Sequence, residues 1–230
     1  MRRLTDVLNA RPKDRVIAAP GVYDMVSLRM AAAMGFEALY MTGYGTVASH
    51  LGLPDAGLAS YADMIGRVEA MARMAETPLI ADGDTGYGGL LNVRHAVRGY
   101  ERAGAAAIQL EDQEFPKKCG HTPDRRVIAA AEMVTIGREL GETPLVANMV
   151  EGGRTPMLSN ARLAEIGYAL AIYPVAGLLS AAAALETVYR QILKTGSSLG
   201  SSAPLYSFAE MNRLMGFEEV WRFARAHTES

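Results

Sequence analysis

Thr77-Pro78-Leu79-Ile80-Ala81-Asp82 and Thr143-Pro144-Leu145-Val146-Ala147-Asn148 are two copies of one pattern: a Thr-Pro break, three apolar residues and a polar side chain. Short apolar runs bounded by turn residues read as buried strands, and the proline stops whatever helix precedes them. Upstream of the first copy, Met64, Ile65, Val68, Met71 and Met74 recur at helical spacing between Tyr61 and Ala75. Helix, break, strand and polar exit make a βα unit, and its recurrence predicts a βα fold.

Working outward, further strands are expected at 16–19, 38–41, 107–110 and 169–173, six in all with the two copies. Helices are expected from Thr5 to Ala10, from a cap at Asp24 to Met34, from Leu91 to Arg102, from Val127 to Leu140, from Asn160 to Ile166 and from Leu178 to Lys194. Pro20-Gly21 bounds the first strand, and Thr42-Gly43-Tyr44-Gly45 reads as the exit loop of the second. Beyond Gly196, Ser197 to Ser202 is a flexible linker to two short helices, Ser207 to Met215 and Phe217 to Ala226, with Trp221 as a packing anchor. The expected division is residues 1–196 as a barrel domain and 197–230 as linker and C-terminal helices.

Apolar strands between helices predict a parallel sheet covered on both faces. Polar residues follow several different strands: Thr42 and Tyr44, Asp82 and Asp84, Glu111 and Asp112, Asn148. That favours an α/β barrel of the TIM type over an open sheet, because in a barrel these exits converge on one face.

The chain has 230 residues, 50% of them hydrophobic, enough for one sizeable core. A net charge of -2 without a dense basic run argues against nucleic-acid or membrane-surface binding and for a small polar substrate. Val175 to Leu185 is too short for the roughly 20 residues that span a bilayer. One cysteine excludes an internal disulfide, and Met1-Arg2-Arg3-Leu4-Thr5-Asp6 lacks the apolar stretch of a signal peptide, so a cytoplasmic location is expected.

Asp82 and Asp84, two apart at a strand end, project the same way and could share an oxygen-ligated ion such as magnesium. An EF-hand is excluded, since Val93 stands where its last acidic ligand belongs. In Glu111-Asp112-Gln113-Glu114-Phe115-Pro116-Lys117-Lys118-Cys119-Gly120-His121, carboxylates leave a strand and the single thiol lies between lysines and a histidine, a setting that favours thiolate. Thr42-Gly43-Tyr44-Gly45 is no dinucleotide loop, because Ala48 replaces the third glycine. His50, His95 and His227 have no acidic or cysteine neighbours at ligand spacing and read as structural.

Lys117-Lys118-Cys119-Gly120-His121 resembles the loop signature of the isocitrate lyase and phosphoenolpyruvate mutase superfamily. Asp82-Gly83-Asp84-Thr85-Gly86-Tyr87-Gly88, Leu53-Pro54-Asp55 and Glu111-Asp112-Gln113 follow that family's order. The resemblance implies magnesium-dependent (manganese as a substitute) retro-aldol or retro-Claisen cleavage of a 2-hydroxy dicarboxylate such as 2-methylisocitrate or 2,3-dimethylmalate. It implies metal ligation by Asp82, Asp84 and Glu111, and catalysis by Cys119 with His121 and Lys117. Substrate contacts would come from Tyr40, Thr42, Gly43, Tyr44, Asp82, Gly120, Asn148 and Thr155, supported by Asp55 and Gln113. It also implies a homodimer or homotetramer that exchanges C-terminal helices. Thr122 departs from the signature, which puts isocitrate itself in doubt as substrate, and the runner-up activity is a phosphoenolpyruvate or carboxyphosphonoenolpyruvate mutase.

Family members place two further βα units after the cysteine-loop helix, with a substrate-holding arginine and glutamate on the added strands. Neither unit is found here. The expected seam lies near Met133-Val134-Thr135-Ile136, so the chain reads as a barrel shortened by two units, and a fold-retaining form of little activity is the third reading.

Overall fold

The structure, a computed structural model, describes residues 3–113, 129–140, 143–153 and 155–227. It packs as two compact units, Met1–Leu178 and Leu179–Ser230. The elements run α1 (Leu4–Asn9), β1 (Ile17–Val22), α2 (Met25–Ala33), β2 (Leu39–Met41), α3 (Gly43–Leu51), α4 (Tyr61–Met74), β3 (Leu79–Asp82), α5 (Leu90–Arg102), β4 (Ala107–Gln109) and α6 (Ala130–Glu139). They continue with β5 (Leu145–Asn148), α7 (Asn160–Glu165), β6 (Tyr168–Tyr173), α8 (Ala176–Thr195), α9 (Phe208–Met215) and α10 (Phe217–His227).

Six parallel strands form one sheet in the order β4-β3-β2-β1-β6-β5. The last strands return to lie beside the first, as they do when a barrel closes. β4 and β5 are consecutive among the described strands yet stand at opposite edges, so the opening falls between them, where the sequence lacks two units. Among the described residues the result is a half-barrel with no stave between β4 and β5.

Alternation along the strands sorts the core into layers. Ile17, Ala19, Tyr40, Ile80, Leu170 and Ile172 point to one face and pack with Leu4 and Val7 of α1, which covers that interior. Leu39, Met41, Leu79 and Ala81 point the other way against Leu28, Met64, Val68, Met71 and Tyr100 of the flanking helices. A third cluster gathers Met133, Ala147, Met149, Leu163, Ile166 and Tyr168 around β5 and β6.

Helix α6 spans the expected seam without a break. Its buried positions are Met133 and Gly137, one turn apart, on the face toward α7 and β6. A Cβ on Gly137 would stand 1.7 Å from the backbone oxygen of Ile166, so only glycine permits this approach. The residues on both sides of the seam thus pack as one helix belonging to β5.

Two local expectations are corrected. Thr42-Gly43-Tyr44-Gly45 is not a loop but the start of α3: Thr42 is the N-cap, accepting from Gly45 N at 3.4 Å, and Gly52 ends the helix in the left-handed conformation. Strand β1 does not stop before Pro20-Gly21. It runs through them because it changes partner there, pairing with β6 up to Pro20 and with β2 from Gly21.

Candidate metal and dicarboxylate site

The site starts from a register. Tyr40 pairs with Ile80, so Tyr40 and Asp82 lie on the same interior face of neighbouring strands β2 and β3. The Tyr40 hydroxyl donates to Asp82 Oδ2 at 3.1 Å, and Gly43 N, in the first turn of α3, donates to the same oxygen at 3.1 Å. Asp84 N donates to Asp82 Oδ1 at 2.9 Å. Only 6% of Asp82 is exposed. Three donors offset the cost of burying its charge, since hydrogen bonds to charged groups are worth about 1.5–3 kcal/mol each. Burial pushes the Tyr40 hydroxyl well above its ordinary value, and the negative charges of Asp82, Glu111 and Asp55 push it further, so it stays a donor across the neutral range.

Behind Asp82 the chain leaves β3 in a tight loop in which Asp84 (φ 53) and Tyr87 (φ 63) both take the left-handed conformation. Thr85 N donates to Asp84 Oδ1 at 2.9 Å. Gly83 N bonds to Gln109 O and Glu111 N to Asp84 O, each at 2.8 Å, so the exits of β3 and β4 are tied together and Glu111 is brought beside Asp84 in the backbone. The Gln113 side-chain amide donates to Glu111 Oε2. A small pocket, partly open to solvent, is lined by Gly43, Val47, Asp55, Met64, Asp82, Asp84 and Tyr87 among others.

Tyr40, Thr42, Gly43, Asp82, Asp84 and Asp55 are therefore brought to one corner, with Tyr44 half-buried in the first turn of α3 and Glu111 and Gln113 at the β4 exit. Asn148 and Thr155 are not among the pocket's lining. Asn148 ends β5 and Thr155 follows it, at the opposite edge of the sheet. Lys117, Cys119, Gly120 and His121 lie outside the described residues.

Among the described residues no three His, Cys, Asp or Glu side chains come close enough to hold a metal ion, so Asp82, Asp84 and Glu111 share a face without forming a closed set. Magnesium does not require one: it keeps several waters and takes one or two carboxylates. The hard oxygen donors of Asp82 and Asp84, with Glu111 reached through water, fit that ion.

Sequence reasoning missed Tyr87 and Tyr100. Their hydroxyls are 2.6 Å apart, and Tyr100 donates to Asp82 O at 3.1 Å. Burial raises both hydroxyls far above their ordinary range. The one hint in the sequence was a bulky residue between two glycines, Gly86 and Gly88.

The phosphoenolpyruvate phosphomutase family matches residues 8–149. The chain is 36% identical to a 2,3-dimethylmalate lyase of Eubacterium barkeri, covering 90% of this chain and 91% of the relative, and 32% identical to a 2-methylisocitrate lyase of Aeropyrum pernix, covering 90% and 85%. The first alignment spans 264 positions against the 230 residues present here, so the relative carries within the matched span a stretch that this chain lacks. A crystal structure of 2,3-dimethylmalate lyase superposes with a TM-score of 0.85 at 28% identity, covering 97% of this chain and 94% of that one. A matched family over most of the half-barrel and relatives of nearly equal extent place this chain, as an enzyme, among the lyases of the phosphoenolpyruvate mutase and isocitrate lyase superfamily.

Proposed function

We propose that the chain is a magnesium-dependent carbon-carbon lyase acting on a small 2-hydroxy acid with two or three carboxylates, of the 2,3-dimethylmalate or 2-methylisocitrate kind. The observation that carries this reading is the buried Asp82 carboxylate, fixed by Tyr40, Gly43 and Asp84 and facing a pocket with Asp84 and Asp55. The activities of the relatives named above support the choice of substrate. The reaction passes the proton of the substrate's 2-hydroxyl to a carboxylate of the pocket and breaks the C2–C3 bond, whose electron pair goes to C3. One product is a 2-oxo acid, and the other is a carboxylate whose α-carbon keeps the electron pair until it is protonated. Bound magnesium supplies positive charge that stabilises the enolate oxygen.

The protein's own residues do the rest. Tyr40 and Gly43 hold Asp82 in one orientation, and the N-terminus of α3, with Thr42 and Tyr44, receives a substrate carboxylate. Cys119, which the sequence sets between Lys117-Lys118 and His121, gives its proton to the carbanion. Gly120, Asn148 and Thr155 hold the departing carboxylate.

Calorimetry with oxalate, a mimic of the enolate product, tests the site: binding is expected only when magnesium is present. Equal binding without magnesium, or none with it, overturns the reading. The two absent strands favour a slow enzyme, because lost charge-assisted contacts and lost orientation can cost a factor of about a hundred in rate. Release of the 2-oxo acid, followed with a coupled dehydrogenase, is therefore expected to be slow, and Cys119→Ser to abolish it while oxalate binding persists. Turnover that survives Cys119→Ser removes the thiol from the chemistry.

A further inference from the structure

We infer that Tyr87 and Tyr100 are positioning residues that act as one hydroxyl-to-hydroxyl strut and hold the Asp82–Asp84 carboxylate pair in its binding geometry. The inference rests on the metal-binding reading of that pair. Each phenol has a single proton. Tyr100 donates its proton to the backbone oxygen of Asp82 at 3.1 Å, so the 2.6 Å contact between the two hydroxyls is a bond from Tyr87 to Tyr100. The strut thus joins both ends of the loop that carries Asp84: Asp82 where the loop begins and Tyr87 where it turns toward α5. Tyr100, at 1% exposure in the first core cluster, is its fixed point.

The loop needs such a tie. Asp84 and Tyr87 both sit at positive φ, 53 and 63, a conformation that L side chains rarely adopt. Released, the loop would relax toward unstrained backbone and carry Asp84 away from Asp82. Packing alone does not explain the two hydroxyls. Phenylalanine would fill the same space, and a buried hydroxyl costs free energy unless its hydrogen bond matters. Tyr61 supplies the comparison within the molecule: its ring meets Tyr87 edge-on at 5.9 Å and Tyr100 at 6.4 Å, but its hydroxyl packs against Gly99 on α5.

The test uses the full chain with manganese as the probe, its affinity read by electron paramagnetic resonance with and without oxalate, beside the thermal midpoint. Tyr87→Phe and Tyr100→Phe are each expected to weaken manganese binding about tenfold, the scale of one lost hydrogen bond. The double variant should be no weaker than the weaker single one, because a strut broken at either joint is already broken. Tyr61→Phe should bind manganese as the unaltered chain does. If the unaltered chain binds manganese and both strut variants bind it equally well, the inference fails while the metal site stands. If Tyr61→Phe weakens binding as much as they do, the effect is general packing and the inference also fails. No manganese binding by the unaltered chain overturns the metal reading and the strut with it. Should Tyr100→Phe not fold, Tyr87→Phe, on a half-buried ring, decides the matter alone.

Discussion

Gly43 shows how narrow the tolerances at the site are. A Cβ there would lie 2.5 Å from Asp82 Oδ2 and 2.8 Å from its Cγ, inside any contact distance. Gly43→Ala is a favourable change for a helix by propensity alone, so α3 should survive it. The carboxylate must move and lose the Gly43 N–H, a charge-assisted bond worth about 1.5–3 kcal/mol. Magnesium-dependent oxalate affinity in calorimetry should fall at least about tenfold, with little change in the thermal midpoint. Unchanged affinity would show that Asp82 is not a ligand-binding group. Asp82 and Asp84 were legible in the sequence because they follow an apolar run that could only be a strand. The strut was not: Tyr87 and Tyr100 are separated by most of α5, and their meeting depends on how that helix packs, which no spacing rule reports.

Among the elements, α4 is set by local chemistry. Ser60 Oγ accepts from Asp63 N at 3.3 Å, and Asp63 Oδ2 accepts from Ser60 N at 2.8 Å and from the Ser60 hydroxyl at 2.6 Å, a reciprocal capping box. Ser60→Ala should cost about 1 kcal/mol in urea unfolding at neutral pH. The Ser60 hydroxyl and then its backbone N–H hold the Asp63 carboxyl below its ordinary value of 3.8. A group lowered in the folded state stabilises above its unfolded value and loses that contribution as the pH falls through the folded one. The gap between the unaltered chain and Ser60→Ala should therefore narrow below pH 3.8, and a gap constant with pH would exclude the carboxylate from the cap. By contrast, α3 was hidden in the sequence, because two glycines in its first turn look like a loop. They are needed there for close approach, of Gly43 to Asp82 and of Gly45 to Tyr23. Strand β1 was misread for a similar reason: a proline marks a strand end only where its missing N–H would have been needed.

At the scale of the whole molecule, the count of six strands and the place of the gap could be read from the βα repeat, but the order of strands across β1 could not, since pairing between distant segments leaves no local mark. The second unit presents Phe208, Val220, Trp221 and Phe223 on α9 and α10, with Phe208 84% and Phe223 66% exposed. So much exposed aromatic surface is expected to be covered by another copy, and the chain should sediment as a dimer or larger at micromolar concentration. A monomer there removes the idea. The division of β1 between two partners has a kinetic consequence. Its last two residues, Gly21 and Val22, meet β2 after a short stretch of chain, while Ile17 to Pro20 must wait for β6, about 150 residues later. Closing the longer loop costs roughly 2 kcal/mol more chain entropy, so on a growing chain β2, β3 and β4 can assemble while most of β1, Ile17 to Pro20, remains an open edge. Until β6 has been synthesised and takes its place, those residues present an open strand edge with which a neighbouring chain can pair.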